Sequence, residues 1–140
     1  MRVFLPLCLL FGVSGCGLMM PAHDPSQAWV ELTNDNLAAI DVDQRALDDD
    51  RYFQVTPGRH ELGVRYAFEV SASNIGNGAE PLPRDCRITV QYDHFDAGER
   101  YRLVTGQYGF RPWARLYDGR NRVIAQGQER GCGDPDLAVR

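Results

Sequence analysis

The feature that most restricts this chain is an unbroken alternation of residue character from His60 to Val70. His60, Leu62, Val64, Tyr66, Phe68 and Val70 fall on one face of an extended segment, and Glu61, Gly63, Arg65, Ala67 and Glu69 on the other. A period of two cannot place one apolar face on a helix, so the segment reads as a half-buried strand. The same alternation returns at Cys86, Ile88, Val90 and Tyr92 against Arg87, Thr89 and Gln91, which sets Cys86 on the inward side. Two strands of this kind need partners to cover their apolar faces.

Partners are written along the rest of the chain as short runs between turn signals. Trp29–Thr33, Ile40 with Val42, Tyr52–Val55, Tyr101–Thr105, Trp113–Tyr117 and Val123–Ala125 read as strands. Pro57-Gly58, Asp96-Ala97-Gly98 and Asp118-Gly119 read as the turns; in the last, both residues tolerate positive φ. Ser71 to Arg84, with two Asn, two Gly and two Pro, reads as a long loop. No window carries a helical period. The expectation is an all-β domain of about seven strands, a prealbumin- or immunoglobulin-like sandwich or a small barrel.

The first residues obey a different logic. Met1-Arg2 opens with a positive charge, and Val3 to Val13 is an apolar run of about 11 residues, a signal-peptide length and too short to cross a bilayer. It ends in Val13-Ser14-Gly15-Cys16, where small residues precede a cysteine. The expected division is a signal peptide at 1–15, a lipidated N-terminus and flexible tether at 16–28, a β-domain at 29–132 and a frayed tail at 133–140. Val13-Ser14-Gly15-Cys16 resembles the bacterial lipobox. The resemblance implies that Val13, Ser14 and Gly15 are recognised by the lipoprotein signal peptidase and that Cys16 receives a diacylglyceryl thioether and an N-acyl chain. Two or more chains anchor stably where one does not. Gly17 stands where many inner-membrane lipoproteins carry Asp, which implies the outer membrane.

Four cysteines then divide by position. Cys8 would leave with the signal peptide and Cys16 would carry lipid, so Cys86 and Cys132 remain as an even pair in an exported domain and are expected to form a disulfide. A formal charge of −4, becoming −5 when Arg2 is removed, with no basic run, argues against a nucleic-acid partner. All fifteen positive residues are Arg and none is Lys, which removes lysine chemistry.

Further stretches resemble a family of small Gram-negative lipoproteins: Pro57-Gly58 with His60, Leu62, Val64 and Tyr66; Ala97-Gly98 with Tyr101 and Leu103; and Leu116-Tyr117-Asp118. The portion from about Ala39 to Val70 is also similar to PEGA-type β-sandwich modules, without the Pro-Glu-Gly-Ala signature. Neither resemblance implies a catalytic residue.

Sites of chemistry are weak in this sequence. Asp35, Asp41, Asp43 and Asp48 to Asp50 suggest calcium, but Arg45 and Ala46 stand where a helix-loop-helix site needs a ligand and a glycine. His23, His60 and His94 lack zinc spacing. Gly12-Val13-Ser14-Gly15 falls short of a nucleophile elbow and lies in the signal peptide. No metal, cofactor or enzymatic activity is therefore expected. The strongest binding stretch is Tyr108 to Trp113, where Tyr108, Phe110, Arg111 and Trp113 gather beside glycines, residue types that stack on sugars or anchor protein partners. The functional expectation is a non-enzymatic, membrane-anchored module facing the periplasm, with an envelope protein or peptidoglycan as partner. An inhibitor of an envelope-directed hydrolase such as lysozyme is the alternative, although inhibitors of that kind use a Ser and a Lys.

Overall fold

The computed structural model describes residues 22–133; Val13, Ser14, Gly15 and Cys16, and the tail at 134–140, lie outside them. The described chain is all-β. Its strands are β1 (Ala28–Leu32), β2 (Leu37–Val42), β3 (Arg45–Ala46), β4 (Tyr52–Val55), β5 (Gly58–Val70), β6 (Leu82–Phe95), β7 (Arg100–Tyr108), β8 (Arg111–Tyr117) and β9 (Val123–Gly133). A single 3₁₀ turn, Ala72–Asn74, interrupts the loop between β5 and β6.

These nine strands form one curled sheet in the order β3-β2-β5-β6-β9-β8-β7-β1-β4. Neighbours are antiparallel except β1 and β7, which run parallel from Trp29 opposite Arg100 to Leu32 opposite Leu103. The curl brings the two ends of the sheet together: Ala39 N, in β2, donates at 2.8 Å to the O of Asp50, just ahead of β4. Inside lie Phe53, Phe95, Leu62, Ile88, Leu103 and Leu116, all fully buried. The alternating faces of β5 and β6 are buried as their pattern requires, with Tyr66 opposite Cys86 and Leu62 opposite Val90.

β9 gives the sheet its curl. Its first half pairs with β8, Gln126 opposite Arg115, and its second half pairs with β6, Gly127 opposite Val90. A strand that passes from one part of a sheet to another turns a corner. Gly127 occupies that corner, where an added Cβ would stand 2.6 Å from Ile88 Cγ2 and 2.8 Å from the Ala114 methyl.

Several local expectations change. Cys132 is not beyond the last strand: β9 runs to Gly133, and Cys132 faces Cys86 directly across the ladder, joined to it as a disulfide. The long loop ends at Pro81, because Leu82 to Arg84 extend β6 against Val70 to Phe68. Pro83 is tolerated there since β9 reaches only as far as Asp85, leaving one side of that stretch unpaired. In the turn after β8, the residue with positive φ is Asn121 (60°) rather than Asp118 or Gly119. Asp118 serves by accepting from the backbone N–H groups of Arg120 (2.9 Å) and Arg122 (3.0 Å). Finally, a bulge between Ala39 and Asp41 sets Asp41 opposite Gly63. The buried Asp41 carboxylate covers that glycine and pairs with Arg87.

Candidate functional site

Strand directions divide the molecule into two ends. The N-terminal segment enters at one end and is held there: Gln27 N donates to Asp24 O at 3.0 Å, Gly98 N to Gln27 O at 2.9 Å, and Trp29 N to Glu99 O at 3.1 Å. His23, placed by sequence on a tether, lies tilted against Trp29 with ring centroids 3.9 Å apart, and Trp29 stacks on Tyr52 at 4.2 Å. Packing therefore begins ahead of Trp29. The β4–β5, β6–β7 and β8–β9 turns share this entry end.

The opposite end carries the β5–β6 loop and the β7–β8 turn. It holds four of the five exposed large hydrophobic residues among those described: Ile75, Leu82, Tyr108 and Phe110. Tyr108 is 70% exposed, a level that excludes a core role. Gly109, with φ of 59°, turns the chain between it and Phe110. Arg111 is also exposed, and the Arg84 guanidinium lies 5.7 Å from the centre of the Phe110 ring. Trp113 differs from the other three. It is partly buried, lying opposite Gly106 so closely that no side chain fits on that glycine, and the Arg115 guanidinium lies over its ring at 4.6 Å. Trp113 thus supports the tip, while Tyr108, Phe110 and Arg111 are presented by it. Tyr66 ties this end together across the interior, its hydroxyl donating to Gln107 Oε1 at 2.5 Å.

The acidic and histidine residues singled out in the sequence are drawn into separate structural contacts. Asp43 Oδ1 accepts from Glu61 N at 2.8 Å and Oδ2 lies 2.6 Å from His60 Nδ1, while His60 Nε2 meets Thr56 O at 2.8 Å. The Glu61 amide first, and His60 with it, hold the Asp43 carboxyl below its ordinary value against the opposing effect of burial. Asp49 binds Arg51 and Asp41 binds Arg87, so these carboxylates do not converge. His94 lies edge-on to Tyr92, with centroids 6.1 Å apart. Among the described residues, the one group with close metal-ligating atoms is Cys86, Glu129 and Cys132, and its two sulfurs are bonded to each other.

A second feature had no sequence signal. Pairing between β6 and β9 stops at Val90 opposite Gly127; beyond it β6 follows β5 and β9 follows β8. Where the two strands part, a cleft of about 450 Å³ opens, with Gln91 and Tyr92 on one wall and Ile124, Gln126 and Gln128 on the other. Along the sequence these glutamines look like the solvated face of an ordinary strand. Only the sheet order sets them opposite one another. Compared with protein-family models, with curated proteins and with solved structures, the chain matches none of them.

Proposed function

We propose that this chain is a lipid-anchored envelope protein, held to the outer membrane through acyl chains on Cys16, whose β-domain presents its far tip to a periplasmic partner without performing catalysis. The observation that carries this reading is the placement of the exposed apolar residues. They stand at the end of the domain opposite the entry of the N-terminal segment. β6 alone spans 14 residues, roughly 40 Å at strand rise, between the two ends. An anchor at one end therefore leaves Tyr108, Phe110 and Arg111 facing away from the bilayer, where a partner can reach them. Exposed aromatic residues beside Arg are the types that dominate binding energy at protein interfaces. The lipobox resemblance supports the anchor, and the Cys86–Cys132 bond is consistent with an oxidising compartment.

The test is site-specific photo-crosslinking in intact Gram-negative cells, with the crosslinker placed at Phe110 or, for reference, at the exposed Arg120 near the entry end. Phe110 should give a discrete adduct that Arg120 does not. Equal labelling from both positions, or none from the tip, would remove the reading.

A further inference from the structure

We propose that the cleft between β6 and β9 is a binding site for a neutral oligosaccharide. At about 450 Å³ it falls within the range of small-molecule sites, roughly 300–1,000 Å³. Its geometry is built into the fold. Gly127 forms the vertex where the strands part, and its missing side chain lets the buried Ile88, Ala114 and Val90 close up beneath the floor of the cleft.

The lining selects the ligand. Gln91, Gln126 and Gln128 bring three side-chain amides to one cleft. The Gln91 oxygen accepts from Arg59 Nε at 2.7 Å, which leaves its NH2 group to donate, while Gln126 and Gln128 each carry donors and an acceptor in one plane, the pair that a ring with neighbouring hydroxyls offers in return. Arg130 Nε donates to Thr89 Oγ1 at 2.8 Å, which fixes the guanidinium at the cleft wall. Asp93 is paired with Arg59 at 3.6 Å, and Glu61 stands against Arg130, so the cleft carries no excess of positive charge to draw in a phosphate or polyanion. Apolar groups are few. Tyr92 presents the largest ring, steadied edge-on by Phe95 at 5.0 Å and by the tilted Tyr101 ring at 6.0 Å. A lining of amides, a hydroxyl and the Tyr92 and His94 rings, with charges of both signs beside them, suits a molecule that is hydroxylated and uncharged.

The surroundings select an extended ligand over a compact one. Glu61 and Gln91 also line an adjoining hollow beside Asp43 and Arg59, and Tyr92 lines a further one beside Asp118 and Arg122. Polar hollows therefore follow one another along the surface, as a chain of repeating sugar units requires. A peptide strand is the competing occupant, because both parted strands offer backbone groups. The strands diverge from Val90 and Gly127, however, so an added strand could hold ladder spacing to only one of them.

The experiment uses the full chain in a sugar-free zwitterionic detergent, titrated with the hexamer of N-acetylglucosamine, with maltohexaose and with a short extended polar peptide, while side-chain amide signals are followed by NMR. At least one oligosaccharide should shift the Gln91, Gln126 and Gln128 signals saturably. The outward-facing double variant Gln126→Ala/Gln128→Ala should weaken that binding roughly tenfold, with the urea midpoint unchanged. Gln91→Ala, on the other wall, provides a second variant read in the same way. Overturning results are no shift with either oligosaccharide, shifts confined to the tip, or saturation by the peptide instead. None of these bears on crosslinking from Phe110, so this site and the tip are judged separately.

Discussion

Gly127 shows how much of this fold rests on a missing side chain. Ile88, Ala114 and Val90 crowd the place where its Cβ would be, the nearest at 2.6 Å, and these are side chains of the core rather than movable surface groups. Gly127→Ala should force the corner apart and cost about 1–3 kcal/mol, read as a lower urea midpoint at unchanged slope. An unchanged midpoint would mean that β9 turns without close contact at its corner. Gly63 is blocked by a different neighbour, the Asp41 carboxylate held by Arg87. In the sequence, Gly63 is one member of the outward face read for His60 to Val70, and Gly127 falls after the strand read at Val123–Ala125, so neither is marked as a point of close approach. What approaches them is not visible, because Asp41 reaches Gly63 through a bulge and Ile88 reaches Gly127 from another strand.

Among the elements, β6 and β9 carry the most consequence. They are held together at the far end by Cys86–Cys132, directly across the ladder, and separate at the other end where the cleft lies. The bond closes a separation of 46 residues, which on the chain-entropy model stabilises the fold by about 4 kcal/mol. Reduction should lower the urea midpoint accordingly while the amide signals of β1 and β7, distant in the sheet, keep their native positions in the absence of denaturant. A midpoint indifferent to reductant would show that the ladder alone fixes this end. The half-buried faces of β5 and β6 were legible residue by residue. The extent of β9 was not: Gln126 to Gly131 alternates weakly and includes two glycines, because half of its face is a corner and half an outer wall.

For the molecule as a whole, the two ends matter more than any single residue. The N-terminal segment packs against the entry end through His23, Trp29 and Gln27, so an anchor on Cys16 would hold that end close to the bilayer. Cys16→Ala should therefore move the protein from the outer-membrane fraction to the soluble periplasm, or leave it unprocessed, with the thermal midpoint of the domain unaltered. Fully processed Cys16→Ala protein still in the outer membrane would show that attachment has another source. The tip would then need a new account, since its orientation rests on that anchor.

By itself the sequence determined the all-β class, the inward faces of β5 and β6, the positive-φ turn at Gly58 and the pairing of Cys86 with Cys132, the two cysteines among the described residues. Each of these follows from local periodicity, turn chemistry or elimination, and none needs to know which strand lies beside which. Tertiary structure decided the rest. The parallel placement of β1 on β7, the passage of β9 between two neighbours, the cleft this opens and the separation of tip from entry end all depend on sheet order. Sheet order is set by contacts between residues far apart in the chain. An outward Gln is the same polar residue to its own strand whether it faces solvent or another glutamine across a gap.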